Sequence, residues 1–248
     1  MMDLQPVDRR SVSDDVFDQL AGQILAGRLG PGAVLPAERQ LTERLRVNRQ
    51  AVREALKRLE QAGLVDIRHG GATRVADFRR GAGLDLLPRL LLRADGSIDP
   101  HTVRSIMEMR AAIGPDIARC CAERATPAQV ASLDEVTGSL VAATAADDLA
   151  ELAVLDLAFW DELTEGADNI AYRLAFNSLR SVYEPAVPLL ADALAVELRD
   201  LAGHRAITSA VRRASAPAAA RAARRLLAQG TTVVVGIVSA VAGEGARR

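Results

Sequence analysis

At 248 residues, with 49% hydrophobic and only 3% aromatic side chains, the chain is long enough for two small domains, each with its own core. Its formal net charge of −1 hides a one-sided distribution: residues 39–80 carry eleven Lys and Arg against five acids, and residues 81–248 carry 17 basic against 21 acidic side chains. The single lysine, Lys57, lies in the basic stretch and excludes Schiff-base chemistry elsewhere, and the adjacent Cys120 and Cys121 cannot staple distant segments.

Val12, Val16, Leu20, Ile24 and Leu25 recur at helical spacing, so residues 12–27 are predicted as an amphipathic helix, with Asp14 and Asp15 near its start and Arg28 at its end. Gly30-Pro31-Gly32 breaks the chain, and Pro36 is expected to open a second, short helix through Leu41 and Leu45. Asn48 reads as the N-cap of a third helix whose inner face is Val52, Ala55, Leu56 and Leu59 and which Gly63 ends. Residues 64–68 and 73–76 are predicted as two short strands around a Gly70-Gly71 turn.

After residue 78 the strand signals stop. Ala- and Leu-rich helical patterns cover residues 84–93, 102–124, 127–143, 147–165, 169–199, 203–214 and 216–242. Thr126-Pro127 marks a helix start, while Pro185 and Pro188 are expected to kink or divide the fifth of these helices. The boundary is placed at residues 79–83. This gives a winged helix-turn-helix over 1–78, a linker over 79–83 and an all-α bundle over 84–243, a mainly α protein whose one sheet is the small hairpin. The apolar run near the C-terminus, VVVGIVSAVAG, is too short to cross a bilayer, so a cytoplasmic protein with no membrane partner is expected.

With Val52, Ala55, Leu56 and Leu59 turned inward, Arg49, Gln50 and Arg53 face outward at the start of the third helix. Arg can bond guanine O6 and N7, and Gln can bond adenine, when such an end enters the major groove. Arg39 is placed to reach a base edge or a phosphate, and the small tip His69-Gly70-Gly71 lets its backbone approach the minor groove or sugar-phosphate backbone. A single Arg is most simply a solvated charge. Several polar groups on one short face, followed by a basic hairpin, point to double-stranded DNA.

The stretch GAVLPAERQLTERLRVNRQAVREALKRLEQAGLVDIRHGGATRV resembles the winged-helix domain of GntR-type bacterial regulators. It departs from that pattern at Arg46, where the family usually has Gly, and at Asn48 in place of Ser or Thr. The helical remainder resembles the FCD effector domain and places the chain with the FadR subgroup. By position, the resemblance implies DNA contacts from Arg39, Asn48, Arg49, Gln50 and Arg53, with His69, Gly70 and Gly71 in the wing.

Many FCD domains hold a divalent metal through an Asp, a His four residues later and two further His. Here Asp156 is present, Trp160 stands at the first His position, His204 matches the second, and Leu226 or Leu227 stands at the third. One Asp and one His are too few for a Zn²⁺-type site, so no metal and no cofactor are expected. Trp160 either favours an apolar ligand over a small acid or merely fills the space of the absent metal. VADFRRGAGLDLLPRLLLR resembles the actinobacterial FadR-like branch in particular, in which an Arg and a Tyr contact acyl-CoA; by position these are Arg110 and Tyr183. The resemblance implies a homodimeric regulator that binds a palindromic operator and loses DNA affinity when a long-chain acyl-CoA or fatty acid occupies a site formed by Arg110, Asp156, Trp160, Tyr183 and His204. The alternative is a regulator of the same build that senses another small metabolite, a carboxylate or sugar acid, without metal. An enzyme is not expected: the chain has three His, one of them in the wing, and no Gly-x-Ser-x-Gly nucleophile elbow.

Overall fold

The computed structural model describes residues 11–68, 71–92 and 97–245, without the side chains of 185–190, 238–239 and 241–245. The chain divides into two compact units, Met1–Ser97 and Ile98–Arg248.

In the first unit, helix α1 (Val12–Leu25) starts at a capping box: Ser11 Oγ accepts from the Asp14 amide at 3.2 Å, and the Asp14 carboxylate accepts from the Ser11 amide at 3.1 Å. Its buried stripe of Val16, Phe17, Leu20 and Ile24 packs on α3. Helix α2 (Glu38–Leu45) begins one turn-residue later than expected, because Ala37 occupies the N-cap and Pro36 lies outside the helix. Gln40 Oε1 there accepts from the Ala37 amide at 3.2 Å. Helix α3 (Arg49–Gln61) is capped by Asn48, whose Oδ1 accepts from the Ala51 amide at 2.8 Å, and its inner face Val52, Ala55, Leu56 and Leu59 is buried as the sequence predicts. Strands β1 (Val65–Asp66) and β2 (Arg74–Val75) pair antiparallel in the register Val65↔Val75, with a further bridge from Val34 to Arg74.

The expected linker is part of this unit. Residues Phe78–Gly81 form a short helix, α4, and residues Leu84–Leu86 a 3₁₀ turn that runs into α5 (Leu87–Leu91). Leu86 enters the core of the first unit, with Phe78, Ala82 and Leu90 packed against it. Arg89 pairs with Asp18 and lies 4.1 Å from the centroid of Phe17, a ring that Arg58 also covers at 4.9 Å. The division therefore falls at Ser97–Ile98 and not at residues 79–83, because apolar contacts, rather than the loosening Gly-Ala-Gly composition, decide where residues 84–91 belong.

The second unit is helical throughout its described residues: α6 (Pro100–Arg124), α7 (Pro127–Ala146), α8 (Leu149–Gly166), α9 (Ile170–Leu198), α10 (Leu201–Arg212) and α11 (Ala216–Gly245). Side-chain caps mark where one helix yields to the next. Asp99, Thr126, Asp148, Asn169 and Asp200 each accept a backbone N–H of the first turn that follows. Helix α6 runs against α11, with α8 and α10 also on it; α7 packs on α8 and α10, and α9 on α8 and α11. Helix α9 is continuous through Pro185 and Pro188, so the expected division there does not occur.

Two helices of the first unit end in the left-handed region, and they do so with different residues. Gly63 follows α3 at φ +67°, and a Cβ there would lie 3.2 Å from the backbone N and Cα of Ala82. Arg46 ends α2 at φ +53°, exposed and bearing a Cβ that this region disfavours. Gly63→Ala should therefore destabilise the first unit by about 1–2 kcal/mol or more, while Arg46→Gly should stabilise it by about 0.5–1 kcal/mol. Chemical denaturation followed by circular dichroism checks both; shifts of the same sign would show that local backbone strain is not what limits this unit.

Candidate functional site

Two groups of side chains stand out, one in each unit. In the first, Arg39, Asn48, Arg49, Gln50 and Arg53 are all exposed around α2 and the start of α3. None hangs free. Arg39 pairs with Glu43 at 3.2 Å, and Gln50 donates to Glu54 at 2.9 Å. Glu38 takes both remaining arginines, Arg49 Nε at 3.3 Å on Oε2 and Arg53 Nε at 3.8 Å on Oε1. Because both are held through Nε, their terminal Nη groups remain free to point at a base or phosphate. Asn48 Oδ1 is used by its cap, which leaves its amide N–H groups for a ligand. Gly71 is exposed and its amide closes a turn onto Arg68 O at 3.0 Å; His69 and Gly70 lie outside the described residues.

In the second unit, a cluster of charges is buried among α6, α8, α9 and α10. Arg110 of α6 meets Glu197 of α9 with both Nη groups, one at 3.0 Å, and has Asp156 of α8 at 3.9 Å. The Glu197 side chain is 1% exposed and that of Arg110 20%. His204 of α10 is fully buried between two acceptors, Asp200 O at 2.9 Å from Nδ1 and Asp156 Oδ1 at 3.0 Å from Nε2. A carbonyl only accepts, so Nδ1 carries a proton. Burial alone would lower the imidazole pKa, yet the hydrogen bond and charge of Asp156, with Asp200 O and Glu197 behind them, raise it above 6.5, so Nε2 is protonated too. Burial also works against the Arg110 charge, and Glu197 and Asp156 outweigh it. For Glu197, burial pushes the carboxyl up while Arg110 opposes. Two cations thus face two carboxylates.

Tyr183 faces the same three charges of Asp156, Arg110 and Glu197, and burial, with the two carboxylates, drives its phenol pKa up so that it stays an O–H. Trp160 sits one turn after Asp156 on α8, 6% exposed, with its ring edge 3.4 Å from where a Cβ on Gly114 would stand. Trp160 Nε1 and Tyr183 Oη are buried and have no hydrogen-bond partner among the described residues. The five residues read from sequence, Arg110, Asp156, Trp160, Tyr183 and His204, therefore come together.

Three participants escaped the sequence reading. Glu197 was visible as a lone acid in ALAVELRD, fourteen residues after Tyr183 and so on nearly the same face of one helix. Gly230 of α11 backs it: a Cβ there would collide with Glu197 Oε2 and come within 2.7 Å of Leu194 Cδ2. Glu38 precedes Arg39 directly, and only the fold shows that it serves Arg49 and Arg53 instead.

The family model described as "Bacterial regulatory proteins, gntR family" matches residues 12–75, and that of the FCD domain matches residues 105–229. HTH-type transcriptional regulator Mce2R of Mycobacterium tuberculosis is 42% identical over 96% of this chain and 97% of its own length. The chain belongs to the GntR family. A Fatty acid metabolism regulator protein of Pectobacterium carotovorum is 34% identical over 63% of this chain and 62% of its own. A solved structure of Lar, which controls the agr system of Listeria monocytogenes, covers 92% of this chain and 98% of its own at a TM-score of 0.56; at 16% identity it shows the shared fold alone.

This GntR protein is thus a transcriptional regulator with a DNA-binding head and an FCD domain, and not an enzyme. The divalent metal that many FCD domains carry does not fit its residues. His204 has no lone pair to offer, since both ring nitrogens donate, and Trp160, Leu226 and Leu227 fill the remaining positions with buried apolar groups. Among the described residues no helix is long and apolar enough to cross a membrane.

The raised imidazole pKa has a signed consequence. A proton held more tightly in the folded state stabilises it fully below the unfolded value of 6.5, and that stabilisation is lost as pH rises through the raised value. The melting midpoint of the protein should fall over that rise, and His204→Gln should flatten this part of the profile. A profile unchanged by His204→Gln would place the proton elsewhere.

Proposed function

We propose that this regulator acts as a homodimer on a short palindromic operator and releases it when a long-chain acyl-CoA or fatty acid occupies the buried cluster of the FCD domain. The observation that carries the ligand site is the pair of orphaned groups, Trp160 Nε1 and Tyr183 Oη, beside a charge cluster already balanced from within. Buried polar atoms without partners are rare in folded proteins and mark where a ligand or water supplies the missing bond. Phe159, Leu194, Leu226 and Leu227 are buried around this polar centre, which suits a ligand with an apolar chain and a small polar head. The relatives named Fatty acid metabolism regulator protein support the acyl reading. The small-acid alternative is less well served, because the guanidinium that would receive such an acid is taken by Glu197.

On the DNA side, Arg49 and Arg53 present their Nη groups to the major groove from the start of α3, and the exposed Arg39 stands beside them. One α3 reads half a site, so a two-fold dimer reads a palindrome. Ligand and DNA are coupled when the ligand binds better to the dimer state whose two α3 helices are wrongly spaced for successive grooves.

Arg49→Ala should weaken specific operator binding by about 1–3 kcal/mol and relax base preference at one position per half-site. Equal losses on operator and random duplex, in a binding assay at fixed salt, would instead make Arg49 a phosphate contact. Titration of palmitoyl-CoA against the protein bound to a labelled operator should release the DNA at micromolar ligand or below. Retention of the complex at saturating ligand would overturn the acyl reading, and sedimentation of the free protein as a monomer would overturn the dimer.

A further inference from the structure

We propose that Glu197 makes the buried cluster selective for a ligand whose head is an uncharged hydrogen-bond acceptor, an acyl carbonyl in a thioester, ester or amide, and that it excludes a free carboxylate. The inference rests on the ligand-binding reading of this cluster and narrows it.

The argument is an inventory of what the cluster still has to offer. Arg110 gives both Nη groups to Glu197 and has Asp156 behind it at 3.9 Å. His204 gives one ring N–H to Asp156 and the other to Asp200 O. Every cation therefore already has its counter-charge. What remains is the indole N–H of Trp160, which can only donate, and the O–H of Tyr183. Two neutral donors with no uncompensated positive charge complement a carbonyl oxygen.

A carboxylate entering the same place would add a third negative charge beside Glu197 and Asp156 in a site closed to water, and an uncompensated buried charge is among the most unfavourable groups a protein can hold. Its one escape would be to take Arg110 by evicting Glu197. The Glu197 side chain has nowhere to retreat. The backbone of α11 closes behind it at Gly230, where even a methyl group would collide with Oε2, and Leu194 Cδ2 closes the same space. A ligand must accept the Arg110–Glu197 pair as a fixed wall, and a wall with a carboxylate in it repels acids.

Trp160 is the only tryptophan in the chain, so its emission reports on the cluster without a label. The full-length protein is titrated with dodecanoyl-CoA, methyl dodecanoate and dodecanoate. Both neutral carbonyl compounds should shift the Trp160 emission, and dodecanoate should bind more weakly than the ester by roughly tenfold or more. In Glu197→Gln the acid should come within about threefold of the ester. Equal affinity of dodecanoate and methyl dodecanoate for the wild-type protein overturns the proposal without recourse to a variant, and so does unchanged discrimination in a folded Glu197→Gln protein. If discrimination holds but dodecanoyl-CoA leaves operator binding untouched, the filter stands and the acyl-CoA reading of regulation falls. Silence of Trp160 towards all three compounds overturns both.

Discussion

The contact between Arg110 and Glu197 constrains the FCD domain more than any other. Each group is buried, each would be strongly unfavourable alone, and each is acceptable only because the other is there. Breaking such a pair from one side costs about 3–5 kcal/mol, whereas an apolar pair of similar shape is often as stable or more so. Stability is therefore a weak reason for its presence. What the pair does secure is position: it fixes α6 to α9 at the level where Asp156 and His204 fix α8 to α10. Four helices are thereby registered on one polar centre, and Gly230 lets α11 close over it.

Much of this architecture could be read from the sequence, and the reason is local. Asn48, Thr126 and Gly63 act through atoms within a few residues of themselves, so their roles as caps and stops follow from residue type and place alone. The inner face of α3 was equally legible, since periodicity is a property of one helix. Where tertiary contacts decide, the reading weakened. Residues 84–91 carry a helical pattern that suits either unit, and it is Leu86 in the core and Arg89 on Phe17 that assign them to the first. Pro185 and Pro188 would end an isolated helix, yet α9 continues through both.

The same division runs through the sites. Arg110, Asp156, Trp160, Tyr183 and His204 could be named one by one because the family resemblance carries positions. Glu197 could not, because an acid in an amphipathic helix is ordinarily a solvated one, and only the meeting of α9 with α6 turns it inward. Missing it left Arg110 as a cation awaiting an anion. With Glu197 in place the sign of the site changes, and the expected receptor for an acid becomes a neutral pocket with two spare donors.

Both units thus use an arginine held by a glutamate, and the surroundings give the two pairs opposite uses. Around Glu38 the arginines are 73% and 61% exposed, so water screens the attraction and such pairs contribute about 0–1 kcal/mol. A phosphate or a guanine can claim the Nη groups while the carboxylate keeps its weak hold on Nε, and orientation is gained with little resistance to binding. Around Glu197 the screening is gone. The same attraction is too strong to exchange and the same carboxylate too close to ignore, so the pair acts as structure and as repulsion at once. Burial alone separates an arginine that reads DNA from one that no ligand can reach.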